Sequence, residues 1–438
     1  VLGDTRPLSL RVFRGHVERS MASVSALRNI TDALRDPSYG AYAIGNVLSL
    51  IGTWMQRVGI GWLTWEMTGS GAWLGVIAFA DLFPVVIVAP LAGALCDRWD
   101  SFKVIKLGQW LSIGQTAVLY ALFATDQLTI ELLVALTALM GIFSALHQPA
   151  RLAIVPFLVE KKHLQAAIAI GSISFNTAQF VGPALAGIAI ATSGVGATIW
   201  LNGLSFALFL VTLLWVRPRS ERVTNPKGGI LTQLAAGIRY SVAHPGIGRG
   251  LILITAIALL GRPFMDLFPG FADRIFNAGP TGLAVLTSSV GGGAILGGLW
   301  LAQRPAARGL TRIILLSLFW TAIMLFIFTA TDLLAVAVAA SFIAGVCLTS
   351  VGIGTQMLFQ VAVSPDMRGR VMSLYVVLFR AVPAIGALIM GLASEVFGLR
   401  WPIIGGAVLL LAVFFWTWSA RKRTADALEP IDPVPGSA

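Results

Sequence analysis

Residues 39–106 read YGAYAIGNVLSLIGTWMQRVGIGWLTWEMTGSGAWLGVIAFADLFPVVIVAPLAGALCDRWDSFKVIK. The stretch holds two long apolar runs, each with one charge in its middle, and then turns abruptly polar. Runs of about 20 apolar residues cross the roughly 30 Å of a bilayer at 1.5 Å per residue. Arg57 lies eight residues before Trp65, about 12 Å from the end of its run. Asp81 lies nine residues after Ala72, about 13 Å from the same side. A lone charge at that depth is costly unless it pairs, faces water or faces a ligand. Consecutive antiparallel segments bring these two to one depth, so an Arg57–Asp81 ion pair is expected.

Composition extends this reading to the whole chain. Of 438 residues, 57% are hydrophobic and 12% charged, and the mean hydropathy is +0.83. One soluble core cannot hide so much apolar surface, so the solvent is lipid. The 46 glycines then serve close helix packing instead of soluble loops. Cys96 and Cys347 sit far apart in apolar runs, and the four histidines are scattered. No disulfide framework, metal site or cofactor is therefore expected.

Twelve apolar runs follow one another, at 39–65, 72–95, 104–124, 129–148, 166–191, 196–216, 250–270, 281–302, 313–330, 333–358, 371–397 and 401–419. Of the 31 Lys and Arg residues, 25 fall on the N-terminal tail, the even-numbered turns and the C-terminal tail, with Lys106 just inside run three on the same side, whereas only Arg274 and Arg400 fall on the other side. Both termini are thus expected in the cytoplasm. Topology accounts for the net charge of +11, so no nucleic-acid partner is invoked. The polar connection after residue 216, followed by a stripe of Ile230, Leu234 and Ile238, reads as a linker with an amphipathic helix on the membrane surface. The domains are then a tail at 1–37, a six-helix bundle at 38–216, the linker at 217–249, a second six-helix bundle at 250–420 and a tail at 421–438. Residues 1–20 carry arginines without an apolar core, and read as an upstream extension or a disordered segment rather than a signal peptide. LGRPFMD at 260–266 echoes IGTWMQR at 51–57, as related halves of a transporter would. The fold class is all-α integral membrane, with twelve transmembrane helices in two pseudo-symmetric six-helix bundles.

Between runs two and three, Gly93-Ala-Leu95-Cys-Asp97-Arg98 resembles the cytoplasmic signature of the major facilitator superfamily. GNVLSLIGTWMQRVGIGWL at 45–63, HQPARLAIVPFLVEKKHLQAAIAIGSISFN at 147–176 and VGPALAG at 181–187 resemble its enterobactin-exporter-like branch, the transmembrane secretion effectors. The resemblance runs from about residue 34 to 419. It implies alternating access between two bundles and a conformational latch at Gly93, Asp97, Arg98 and Lys103. Ser101 and Phe102 stand where further basic residues are usual, which implies a weaker latch. Gly182 and Pro183, with Gly187, resemble the superfamily's antiporter motif and read as a packing and kink site. The superfamily's arginine within run four is missing from 129–148. The glycines at 291–293, 297 and 298 lie inside an apolar helix and read as a packing face, not a nucleotide loop.

Helical phase at about 100° per residue supplies the candidate site. Asn46, Thr53 and Arg57 share a stripe on run one, beside Trp54; Thr137 and Ser144 share one on run four. Thr255, Arg262 and Asp266 align on run seven, and Thr349 and Gln356 on run ten. The resemblance places these four helices around a central substrate cavity. Asp81 and Asp266 are candidates for proton coupling, since protonation of Asp81 would release Arg57. Arg262 and Asp266, four residues apart, repeat the pairing within one helix. Arg380 in run eleven has no acidic partner in its own helix, and could meet an anionic group or reach the cytoplasmic interface.

No nucleophile with a nearby base emerges, so an enzyme is not expected. The expected function is secondary active transport: proton-coupled efflux of a small amphipathic molecule, drug-like or siderophore-like, by a monomer in the bacterial cytoplasmic (inner) membrane. Uptake or facilitated diffusion of a metabolite and lipid flipping are the alternatives. The partners are a small-molecule substrate, protons and the lipid bilayer.

Overall fold

The computed structural model describes residues 29–88, 100–216, 238–241, 244–304 and 308–429. The expected latch residues Gly93, Asp97 and Arg98 lie outside these, as does most of the linker; Lys103 is exposed near the start of a helix.

The described residues include the helices named here α1 (Pro37–Thr68), α2 (Gly71–Leu82, helical on to Val88), α3 (Ser101–Ala124), α4 (Ile130–Leu158), α5 (Leu164–Ser193), α6 (Gly196–Trp215), α7 (starting as Ile247–Ala256), α8 (Gly279–Ala302), α9 (Leu310–Ala330), α10 (Leu334–Ala362), α11 (Pro365–Phe397), α12 (Arg400–Ser419) and the short α13 (Arg421–Leu428). Local chemistry sets several of the ends. The Asp36 carboxylate accepts from the backbone N–H groups of Ser38 and Tyr39 at 3.0 and 3.1 Å, and Pro37 opens α1, so orphan donors of the first turn are satisfied. Gly69, at φ 57°, closes α1 in the left-handed conformation that glycine adopts without strain. Ser70, Asp100 and Thr129 cap α2, α3 and α4 in the same way as Asp36.

Among the described residues ten helices are long and apolar enough to cross a bilayer. The remaining two of the expected twelve are α1 and α3, which have the length, at 32 and 24 residues, without the apolarity. Their polar residues explain it: Ser49, Gln56 and Thr64 on α1 and Gln109, Ser112, Gln115 and Thr116 on α3 are buried against neighbouring helices.

Packing follows one rule in both halves. In the first, α1 packs on α5 and α6, α3 on α4 and α6, and α2 on α4. Adding six to each number gives the second half: α7 on α11 and α12, α9 on α10 and α12, and α8 on α10. The halves meet along α2–α11 and α5–α8, a pair of contacts related by the same offset. Small residues allow these crossings. A Cβ on Gly75 of α2 would lie 2.5 Å from the Ala387 carbonyl oxygen of α11, and one on Gly187 of α5 would lie 2.2 Å from Ala284 Cβ of α8.

Candidate functional site

Arg57 of α1 and Asp81 of α2 form the expected ion pair. It is not sealed, because the side chains keep 41% and 25% of their exposure. Three contacts position it. The Arg57 guanidinium sits 4.9 Å over the Trp54 ring, and Trp54 meets Phe175 of α5 edge-on at 6.1 Å. Gly182 lets α5 approach there, since a Cβ would stand 2.5 Å from Trp54 Cβ. Gly141 does the same for α4 behind Asp81, where a Cβ would stand 2.5 Å from the Asp81 carbonyl oxygen.

The second half supplies Arg262, Asp266 and Arg380. After Ala256, α7 leaves regular α-helix: a π-helical turn over Ile257–Gly261, a 3-10 stretch over Arg262–Leu267, a short α turn at Phe268–Gly270 and a second π turn at Phe271–Ile275. Pro263 has no N–H to give the carbonyl of Leu259, four residues back, and its ring crowds that turn. The freed carbonyl points at α11, where a Cβ on Gly386 would lie 2.4 Å from it. In a 3-10 helix residues three apart eclipse, so a residue four on sits about 120° round the axis. Arg262 and Asp266 accordingly form no ion pair within 4.0 Å, unlike the spacing argument for a regular helix; Arg262 instead lies 5.3 Å over the Phe379 ring of α11. Arg380 of α11 donates to Gln148 Oε1 of α4 at 2.7 Å, a hydrogen bond from one half to the other.

These side chains form one electrostatic group. Arg262 and Asp266 each interact with Arg57, Asp266 also with Asp81, and Arg380 with Arg57 and Arg262. Five charges from α1, α2, α7 and α11 thus converge between the halves.

The other sequence candidates lie around this group or apart from it. The hydroxyls of Thr53 and Thr137 donate to carbonyls of their own helices, Ser49 and Leu133, at 2.7 Å, as isolated membrane hydroxyls commonly do. Ser144, Thr255, Thr349 and Gln356 are half-buried, and among the described residues no hydrogen bond joins their side chains to the charges. Asn46 serves a different partner. Helix α4 runs ten residues past the expected end at 148, and carries Arg151. Arg151 donates to Asn46 Oδ1 at 3.3 Å and Ser49 Oγ at 3.1 Å, and lies 4.7 Å over Phe209. The longer α4 thus contains an arginine that the run 129–148 did not. Pro149 and Pro156 are accommodated inside the helix, as membrane helices allow.

Sequence reasoning missed a second set of contacts, at the bundle end that carries the α1–α2, α7–α8 and α11–α12 turns. There Glu395 of α11 accepts hydrogen bonds from Ser70 Oγ and from the Ala72 N–H. Asp273 of α7 accepts from Trp65 Nε1 at 2.9 Å, and Arg274 lies 4.6 Å over the Trp65 ring. Nothing in their sequence neighbourhood separates these acids from ordinary solvated ends. The second half thereby grips the α1–α2 turn. Among the described residues, Arg380–Gln148 and a hydrogen bond from Ser288 Oγ of α8 to the Phe180 carbonyl of α5, at 3.2 Å, also join the halves. No group of three His, Cys, Asp or Glu residues among those described could hold a metal ion.

Comparison with known proteins agrees with this geometry. The transmembrane secretion effector family profile matches residues 32–437. The staphyloferrin A transporter of Staphylococcus aureus is 24% identical over 383 residues, covering 84% of this chain and 93% of that protein. Macrolide efflux protein A of Streptococcus pyogenes is 24% identical over 376 residues, covering 84% and 92%. Among solved structures, a bacterial homolog of the human lysosomal transporter Spinster in an inward-facing, unoccupied conformation superposes with a TM-score of 0.70 at 15% identity, over 91% of this chain and 99% of that one; this shows the shared fold. Two related helical halves with ten membrane-length apolar helices among the described residues, and a profile match over nearly the whole length to a family of transporters, make this chain an integral membrane transporter, not an enzyme: it belongs to the transmembrane secretion effector family of the major facilitator superfamily.

Proposed function

We infer that the chain exports a small amphipathic molecule, by alternating access, in exchange for protons. The observation that carries this reading is the accessible Arg57–Asp81 pair, set among Arg262, Asp266 and Arg380 from the other half. A carboxylate that holds an arginine only while ionised couples proton binding to the release of a cation. Because Arg57 also interacts across the interface with Asp266, its release would alter the attraction between the halves. Asp81 and Asp266 are thus the proposed proton-responsive groups, and Asn46, Thr53, Trp54, Arg57, Thr137, Ser144, Thr255, Arg262, Thr349 and Gln356 the proposed lining of the path.

The excess of basic residues on the side of the termini supports a cytoplasmic location for both, in a bacterial inner membrane, with the protein acting as a monomer. On that orientation the grip of Glu395 and Asp273 on the α1–α2 turn holds the halves together at the outer side. The turn at Gly93, Asp97 and Arg98, with Lys103, is the proposed latch for the opposite state.

Everted vesicles energised to be acid inside test the coupling. A panel of amphipathic antibiotics and siderophores is added, and collapse of the gradient is followed with a pH-sensitive dye. At least one compound should dissipate the gradient with wild type, and none with Asp81→Asn. Undiminished dissipation in the variant would remove Asp81 from the mechanism.

A further inference from the structure

The charges between the halves do not balance. Three guanidinium groups, Arg57, Arg262 and Arg380, face two carboxylates, Asp81 and Asp266. Asp81 is committed to Arg57 by direct contact, and Asp266 acts on Arg262. Among the described residues Arg380 is left without an acidic partner. Its hydrogen-bond partner is the neutral Gln148 amide, and the charges that act on it are Arg57 and Arg262, both of like sign. It is nonetheless exposed, in mid-helix on α11, where its side chain reaches α4 across the interface. A guanidinium held in a membrane span without a counter-charge is expensive, and marks a site whose counter-charge arrives from outside. Its planar fork suits a carboxylate, which it can hold by two parallel hydrogen bonds. A half-buried aromatic lies alongside: Phe379, next to Arg380 in the chain, stacks on the buried Tyr375 at 5.7 Å and carries Arg262 on its face.

We propose that Arg380 is the anchor for a carboxylate on the transported molecule, so that the cargo is an anionic amphiphile with an aromatic or otherwise apolar body lying against Phe379. The proposal rests on the transport reading above for the word cargo, but the binding site itself does not. Gln148 has a defined part in it: the amide oxygen occupies Arg380 in the empty site and gives way to the stronger, charge-assisted partner.

The test uses two probes of one shape and opposite charge, 2-naphthylacetate and 2-naphthylmethylammonium. Calorimetry follows their binding to the full chain in nanodiscs of zwitterionic lipid, with empty discs subtracted, so that no lipid carboxylate competes. The acetate should bind saturably and at least tenfold more tightly than the ammonium. Arg380→Gln should weaken the acetate tenfold or more, and Arg380→Lys should recover part of that loss. Gln148→Glu, which keeps Arg380 but supplies a carboxylate within the protein, should weaken the acetate as much as Arg380→Gln; a purely structural arginine would not respond in this way. Melting temperatures of all variants identify any that misfold, and Gln148→Glu keeps the test open if Arg380→Gln does. Preference for the ammonium, no saturable binding of the acetate, or acetate binding indifferent to both Arg380→Gln and Gln148→Glu would each overturn the proposal. Transport of both probes in proteoliposomes separates the two readings. An acetate bound but never moved leaves the site standing and defeats transport. An ammonium moved equally well by wild type and Arg380→Gln does the reverse.

Discussion

Replacing Gly75 by alanine should open the end of the molecule that carries the α1–α2 turn. The added methyl would stand 2.5 Å from the Ala387 carbonyl oxygen and 3.0 Å from Gly391 Cα, and both obstacles are backbone atoms of α11. No side chain can swing aside, so the helices must separate by several tenths of an ångström. Overpacking of this kind costs about 1–3 kcal/mol, and the cost falls only on the state in which α2 and α11 touch. A differential of that size moves a two-state equilibrium roughly 5- to 150-fold. Spin labels at Met67 and Phe397, both exposed, report the separation by pulsed dipolar spectroscopy. Wild type should give one short distance; Gly75→Ala should add or enlarge a longer one. Gly391→Ala, whose Cβ would lie 2.6 Å from the Gly71 carbonyl oxygen, should act in the same direction. A folded Gly75→Ala protein with an unchanged distance distribution would refute the claim that this crossing holds one of two states.

Two further outcomes follow from local geometry. Pro263→Ala restores an N–H that can reach the Leu259 carbonyl, so α7 should regularise: the melting temperature should rise while transport slows, because Arg262 and Asp266 are rotated away from their present directions; unaltered transport would count against a role for the irregular turn. His244, which precedes α7, accepts hydrogen bonds at Nδ1 from the N–H groups of Gly246 and Ile247 at 3.2 and 3.3 Å, and partial burial lowers its pKa below the ordinary 6.5. The neutral ring is the form the fold favours, so its contribution is present above about pH 6.5 and is lost as pH falls through the depressed value. Hydrogen-exchange protection of these two amides should drop severalfold on acidification in wild type, and His244→Ala should abolish that pH dependence.

The parts of the fold and site that could be read from sequence are those that depend on length and depth alone. Arg57 and Asp81 pair because their distances from the ends of two consecutive helices are nearly equal, a quantity that counting residues supplies. The partner of Arg380 was out of reach, since Gln148 lies 232 residues away and no local pattern links them. Arg262 and Asp266 misled because the 3.6-residue period was carried through Pro263, where the backbone becomes 3-10 and the two side chains diverge. The length of α4 was misjudged for the converse reason. Pro149 and Pro156 break a soluble helix, yet here the chain continues through both and carries the half-buried Arg151 where a loop residue was expected. Glu395 and Asp273 were passed over because an acid at a helix end has an ordinary explanation in solvent. Only the approach of the other half gives them partners.

The central claim is that the charges between the two halves line a water-filled path open to one side at a time. Cysteine at position 148, in a chain whose Cys96 and Cys347 are replaced by serine, tests it directly. A membrane-impermeant maleimide is applied to each face of oriented proteoliposomes, and labelling is followed by mass. The account predicts rapid reaction from the face that carries the termini and little from the other, with the preference reversed or equalised by Gly75→Ala. Labelling from neither face, or only by a lipid-soluble maleimide, would mean that position 148 faces packed protein or lipid and would contradict the account.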